Sequence, residues 1–310
     1  MEKILVTGAT GQIGSDLVPA LKKSHGKENV ISMAFHTPPT MELEPYVIAD
    51  ARDPEAMRQV VKKEGITTIY HLVGILSAAG EKNPAYAWDV NMNSLRHVLE
   101  LAKEQSMRVF WPSSIAAFGP TTPKQNAPQH TIMEPTTIYG VSKVAGELMC
   151  QYYFHKHGVD ARSLRYPGLL SFKGEPGGGT TDYAVAMFQA AVQKLPYECF
   201  VRKDTKLPMM YMDDAIRGTI ELMQAPLSKL SIKTSYNFAA LTFSAEELAK
   251  KISKHHPLKI TYKPDFRQKI ADSWPDSIDD RQARKDWAWK PQVDLPRLAK
   301  AMIQGFEAKQ

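Results

Sequence analysis

Residues 3–14, KILVTGATGQIG, constrain this chain more than any other stretch, because an apolar strand runs straight into three glycines and then into a helix. Ile4, Leu5 and Val6 make a short unbroken apolar run, the pattern of a strand buried on both faces of a parallel sheet. Ile13, Leu17 and Leu21 then recur every four residues, which is helical spacing. Between them Gly8 allows a tight turn, Gly11 lets the backbone close on a phosphate, and Gly14 lets the helix pack against the sheet. Gln12 and Ile13 complete the turn, whose unpaired N–H groups and helix dipole suit the pyrophosphate of a dinucleotide. The spacing is GxxGxxG rather than GxGxxG, so the strand–loop–helix setting carries the inference. The bland alternative is a glycine-rich turn with no ligand. Pro19 falls inside the helix and predicts a kink.

The alternation continues through the first half. Apolar runs predict strands over Val30–Phe35, Pro45–Ile48, Thr68–Val73, Arg108–Trp111 and Arg162–Tyr166, with helices over Pro54–Glu64, Ala85–Gln105 and Thr137–His157. Asp53 followed by Pro54 reads as an N-cap with proline at the first helical position. This order predicts an α/β fold with a doubly wound parallel sheet of the Rossmann kind. Beyond residue 168, Gly174–Gly179 with Pro176 predicts a loop, Asp182–Lys194 a helix, and Met209–Met212 a return to the sheet. Asp213 or Asp214 then reads as the cap of a helix to about Gln224, and residues 236–239 as a further strand; short helices and loops follow from Phe243 to Gln310. A chain of 310 residues without a linker predicts two lobes in one body. These are a dinucleotide-binding domain over residues 1–168 plus about 209–239, and a smaller C-terminal substrate-binding lobe over about 169–208 and 240–310.

Composition narrows the function classes. At 43% hydrophobic and 23% charged, the chain reads as an ordinary globular protein with enough apolar material for a large core. Cys150 and Cys199 give neither a disulfide framework nor metal-ligand spacing, which fits a reducing, cytoplasmic setting. Met1, Glu2 and Lys3 do not open a signal or transit peptide, and no apolar run reaches the ~18 residues of a membrane span. The net charge is +6, yet basic and acidic residues interleave, and Lys250, Lys251, Lys254, Lys259 and Lys263 read as a solvated face rather than a nucleic-acid track. The histidine pairs His155 with His157 and His255 with His256 lack further ligands at metal-binding spacing, so no metal is expected.

Tyr139 and Lys143, in YGVSK, stand four apart on a predicted helix and so share a face. A tyrosine serving as base near neutrality needs its pKa brought from ~10 to about 7, worth roughly 4 kcal/mol, and an ammonium one turn away is the right perturber. The chain holds a second copy, Tyr152 and Lys156. Thirteen residues separate the two tyrosines, about 220° around a helix, so both cannot face one site. Only the first has a third candidate partner, Ser114, 25 residues earlier at the carboxyl end of a predicted strand.

GATGQIG, PSSIAAFG and YGVSK resemble the extended short-chain dehydrogenase/reductase superfamily that contains UDP-galactose epimerase. LSAAGEKNPAYAWDVN, GEPGGGTTDYAV, LPMMYMDDA and RQKIADSWPDSIDDRQARKDWAW more closely resemble its NAD-dependent L-threonine 3-dehydrogenases, across nearly the whole chain. The resemblance implies oxidation of the C3 hydroxyl of L-threonine to 2-amino-3-oxobutyrate, with Tyr139 taking the hydroxyl proton, Lys143 holding the nicotinamide ribose, and Ser114 bonding the reacting oxygen. Thr180, Thr181 and Ser77 would grip the ends of the substrate, with Gly178 and Gly179 offering backbone N–H groups to its carboxylate and Trp274 covering it. Asp182 reads as the cap of the next helix rather than a ligand for the substrate amine. Asp50 and Ala51 would lie along the adenine, Leu72, Val73 and Gly74 would follow the cofactor, Asn91 would support that loop, and Tyr166 would lie beside the nicotinamide. The superfamily also implies a homodimer formed by the helices around Asn91–Gln105 and Tyr139–His157.

One position departs from the family. Ala34 stands where an acid usually binds the adenine ribose 2′-hydroxyl, and His36 is the only nearby basic residue. NAD is still expected, with weakened discrimination against NADP. Two rival readings are a nucleotide-sugar epimerase or dehydratase using the same Ser114, Tyr139 and Lys143, and a non-catalytic dinucleotide-sensing module.

Overall fold

The computed structural model describes residues 2–35, 41–174 and 177–310. Its strands are β1 (Ile4–Thr7), β2 (Val30–Ala34), β3 (Tyr46–Ile48), β4 (Thr68–His71), β5 (Arg108–Ser114), β6 (Ala161–Tyr166), β7 (Gly168–Leu170), β8 (Tyr197–Cys199), β9 (Lys206–Tyr211), β10 (Ser235–Asn237), β11 (Leu241–Ser244) and β12 (Ile260–Tyr262). Seven of them form one parallel sheet in the order β10-β6-β5-β4-β1-β2-β3. The order reverses between β1 and β4, which opens a crevice at their carboxyl ends.

The unbroken apolar run of β1 has a direct cause. Ile4 and Val6 pack with Leu17, Leu21, Ile216 and Leu222 on one face, while Leu5 packs with Ile69, Val109, Val60 and Leu99 on the other. Helices therefore cover both faces of the sheet, and each β1 side chain is buried. A third core gathers Phe188, Met209, Leu248 and Met302 in the C-terminal half.

Helix Pro54–Glu64 starts as its sequence dictates, with the Asp53 carboxylate accepting from Glu55 N at 2.9 Å and Ala56 N at 3.0 Å. The helix Gly14–His25 runs on through Pro19. The stretch expected as one helix over 85–105 instead carries a π-turn at Asp89–Asn93, between helices Pro84–Trp88 and Ser94–Gln105. Helix Ile138–His157 is capped by Thr137 Oγ1, which accepts from Gly140 N at 3.0 Å, and it closes on left-handed Gly158. Gly146 on this helix meets Trp111 of β5 so closely that a Cβ there would lie 2.3 Å from the indole.

Three expectations are corrected. Strand β5 extends past Trp111 to Ser114; beyond Phe110 it pairs only with β6, so Pro112 sits where one ladder edge is free and its missing N–H costs little. Residues 206–211 do not rejoin the central sheet. They pair with β7 and β11 in a separate three-stranded sheet, because the chain turns away at Pro167 straight after β6 and β10 takes the edge position. Neither Asp213 nor Asp214 caps helix Met212–Gln224, which has Tyr211 at its N-cap; the Asp214 carboxylate instead accepts from Gln292 N and Val293 N and pairs with Arg217. The C-terminal half also ends in a helix longer than the short pieces expected there, Leu295–Glu307, capped by Asp294.

Candidate active site

The glycine turn after β1 is built to bring backbone close to a ligand. Gly8 has φ +70°, and a Cβ on it would lie 3.0 Å from the Leu72 carbonyl carbon and from Val73 N, while one on Gly14 would lie 2.6 Å from the oxygens of Gly8 and Ala9. Only glycine lets the β1 turn approach the end of β4 this closely. Ile13 occupies the N-cap of helix Gly14–His25 and offers no side-chain cap; Ser15 N bonds Gly11 O, and Asp16 N and Leu17 N bond Ile13 O, so the N–H groups of Gln12, Ile13 and Gly14 are the ones left to meet an anion. That donor set fits a dinucleotide pyrophosphate. Asn91, carried on the π-turn, accepts from Ile75 N at 2.7 Å and donates to Ile75 O at 3.1 Å, holding the loop that follows Gly74.

A cavity of about 120 Å³ opens at the crevice. Gln12, Ile13, Leu72, Val73 and Gly74 line one end, Ser114, Tyr139, Lys143 and Tyr166 its floor, and Ser77, Gly179, Thr180, Thr181 and Trp274 the far wall. The catalytic candidates converge because β5 delivers Ser114 while helix Ile138–His157 presents Tyr139 and Lys143 one turn apart. Asp50 and Ala51 are not among the lining residues; the Asp50 carboxylate instead takes Arg52 Nη2 at 2.7 Å, and Arg52 also reaches Asp89 at 3.0 Å. Ala34 closes β2, 7% exposed, whereas His36 lies outside the described residues. Tyr152, the tyrosine of the second YxxxK, is 53% exposed. Sequence reasoning had no signal for the apolar lining from Leu76, Ile115, Pro167 and Leu169, since aliphatic side chains at loop ends look like ordinary core.

The glycine loop works differently from its sequence. The N–H groups of Gly178 and Gly179 donate to the Asp182 carboxylate at 2.9 and 2.8 Å, so they are already satisfied within the chain. Asp182 occupies the N-cap of helix Tyr183–Val192, yet its side chain turns back to the loop instead of capping. Ser77 Oγ meets Thr180 Oγ1 at 3.0 Å, both buried, which ties the loop to the residues after β4. Trp274 is 4% exposed, and its carbonyl accepts from Lys124 Nζ at 2.7 Å.

Residues 4–239 match the NAD dependent epimerase/dehydratase family. The chain belongs to that family. It is 47% identical to the mitochondrial L-threonine 3-dehydrogenase of Bos taurus, over 97% of this chain and 82% of the relative. Among solved structures it resembles the GalE-like L-threonine dehydrogenase from Cupriavidus necator in its holo form, with TM-score 0.95 and 53% identity over 97% of this chain and 99% of that one. It also resembles a monomeric L-threonine 3-dehydrogenase from a metagenome database, with TM-score 0.97 and 49% identity over 99% of each chain.

In this member of the epimerase/dehydratase family the tyrosine–lysine pair is buried, Tyr139 being 9% and Lys143 5% exposed. Lys143 Nζ donates to Pro112 O at 2.5 Å and lies 4.4 Å from the centre of the Trp111 ring and 5.1 Å from that of Tyr139. Burial pushes the Tyr139 phenol up to about 12, against a smaller downward pull from its hydrogen bond with Ser114. Burial brings the Lys143 amine down to about 7, with Glu147 and Cys150 pulling upward. The protein's own groups thus favour the phenol form of Tyr139.

Holding that ammonium in a dry crevice costs stability. With its folded pKa below the value of 10.5 in the unfolded chain, Lys143 is a handicap in full below about pH 7, and this handicap fades as pH rises toward 10.5. Lys143→Met is therefore expected to raise unfolding stability at neutral pH by about 1–3 kcal/mol. Denaturant midpoints against pH check this; the gain should shrink as pH climbs.

Proposed function

We propose that the chain is an NAD-dependent L-threonine 3-dehydrogenase that oxidises the C3 hydroxyl of L-threonine to 2-amino-3-oxobutyrate. One observation carries the reading: Ser114, Tyr139 and Lys143 line one cavity with Ser77, Thr180, Thr181 and Trp274, which sets hydroxyl groups and an indole beside the tyrosine–lysine pair. The 47% identity to a curated L-threonine 3-dehydrogenase supports the same substrate.

Bound NAD supplies the hydride acceptor. Gly8, Gly11, Gln12, Ile13 and Gly14 would hold its pyrophosphate, Asp50 and Ala51 its adenine end, and Leu72, Val73, Gly74 and Tyr166 its reactive end, with Asn91 fixing the loop. Tyr139 removes the hydroxyl proton, Ser114 bonds the same oxygen, and Lys143 as ammonium stabilises the phenolate and holds the ribose. Thr180, Thr181 and Ser77 bind the substrate's charged ends from side-chain hydroxyls, because Asp182 has taken the N–H groups of Gly178 and Gly179. Trp274 excludes water. Residues 1–168 with about 209–239 bind the dinucleotide, and the remainder forms the substrate-binding lobe. Two buried free thiols, Cys150 and Cys199, suit the reducing cytoplasm. Exposed Tyr86, Trp88, Val141, Leu148 and Tyr152 on helices Pro84–Trp88 and Ile138–His157 give an apolar face for a homodimer.

Cofactor reduction screened over L-threonine, its stereoisomers, serine and simple 3-hydroxy acids tests the reaction. L-Threonine should be preferred, and Tyr139→Phe should lower kcat by about 10²–10⁴-fold while leaving dinucleotide affinity nearly unchanged. A variant of wild-type rate would refute the role given to the phenol. With Ala34 in place of an acid, NAD should remain preferred over NADP, but by a modest ratio of kcat/KM; strong NADP preference would overturn this. Light scattering should return the dimer mass, and the monomer mass would remove the interface.

A further inference from the structure

Glu147 is 2% exposed, one helical turn beyond Lys143, and the chemistry above does not use it. Its carboxylate accepts from Arg165 Nε at 2.9 Å and Nη2 at 2.7 Å, and from Ser113 Oγ at 2.6 Å. Arg165, itself 4% exposed, is fixed by Gln129 O at 2.8 Å and Asn237 Oδ1 at 3.0 Å. Ser113 stands between Pro112, whose carbonyl receives Lys143, and Ser114. The carboxylate therefore fastens to the catalytic helix the one strand residue that is flanked by both contacts of the Tyr139–Lys143 pair.

We propose that Glu147, clamped by Arg165, is a positioning residue that keeps Lys143 an ammonium and fixes the Pro112–Ser114 segment against which Lys143 and Tyr139 work. This rests on the role given to Lys143 in the proposed reaction. The groups facing Lys143 are Tyr139, Glu147 and Cys150 from its own helix, His71 from β4, and Arg165 from β6 through Glu147. His71 is brought by burial to about 3 and is neutral, bonded to Thr7 and Ser94. Cys150 is pushed by burial to about 12 and is a thiol. Among these described groups the negative charge belongs to Glu147, and it pulls the Lys143 amine upward.

In this proposal Tyr139 and Lys143 exchange a proton as a pair, and the Glu147 charge then acts twice. It sets the pH at which the pair loses its first proton, and it sets how often the remaining proton has moved from the Tyr139 oxygen to Lys143 Nζ. Glu147→Gln keeps the size of the side chain and the acceptor for Ser113 but leaves Arg165 uncompensated, which destabilises the fold. The double variant Glu147→Gln with Arg165→Gln removes that orphan charge and supplies the folded comparison. In the single variant, where Arg165 stays positive, the pH at which kcat/KM for L-threonine begins to rise should fall by about one unit and the plateau should drop about tenfold; in the double variant both should move the same way by less. A purely structural role would lower stability or the plateau without moving the limb.

The same displacement should appear in an Nζ NMR titration of isotope-labelled lysine in the cofactor-free protein, with Lys143→Met identifying the signal. A folded double variant whose Lys143 signal and rate limb both stay at the wild-type pH overturns the proposal. If the wild-type protein does not oxidise L-threonine, the proposed reaction falls, and the NMR titration alone decides the role of Glu147.

Discussion

Strand β5 outruns β4, and the site depends on that mismatch. The β4 ladder stops opposite Phe110, while the β6 ladder continues to Ser114, so Pro112, Ser113 and Ser114 have one free edge, one strand away from the point where the sheet order reverses. A free edge inside a protein must be given partners. Here Lys143 partners the edge itself by donating to the Pro112 carbonyl, while the side chains of the next two residues are held by Glu147, which accepts from the Ser113 hydroxyl, and by Ala116 N, which donates to Ser114 Oγ. Proline at position 112 belongs to the same logic, since it withdraws a donor that the open edge could not satisfy. Packing enforces the arrangement from behind, where Gly146 leaves room for the Trp111 indole and brings the helix close enough for Lys143 to reach the strand.

Enclosure of the pair has opposite effects on folding and on chemistry. Burial moves both groups toward neutrality, the phenol upward and the amine downward, so the charged tautomer is scarce. The same exclusion of water makes that tautomer more reactive and strengthens each charge–charge contact around it.

Much of the nucleotide-binding half was legible in the sequence because local patterns there report global position. The β1 run, the Asp53–Pro54 cap and the four-residue spacing of Tyr139 and Lys143 each have one sensible structural meaning. The failures share a cause. LPMMY in β9 reads as a buried strand, but an apolar run does not encode which sheet it joins; the turn at Pro167 decides that. Asp182 and Asp213 look like caps in the sequence, but Asp213 lies inside the first turn of its helix, and the Asp182 carboxylate takes the two glycine N–H groups behind it. Glu147 and Arg165 are charges within apolar stretches, and their pairing across 18 positions is a tertiary fact without a local signature.

The far wall of the cavity separates the small-substrate reading from the nucleotide-sugar one. Trp274 is held over the cavity by a segment that is itself bound to the rest of the body. Lys124 donates to the Trp274 carbonyl, Asp276 N donates to Lys124 O at 2.8 Å, Ala127 N donates to Ser277 O at 2.9 Å, and Asp279 N donates to Ala127 O at 3.0 Å. These bonds fix the segment that carries the indole, and the same wall offers hydroxyls from Thr180 and Ser77, which suit the charged ends of a small amino acid.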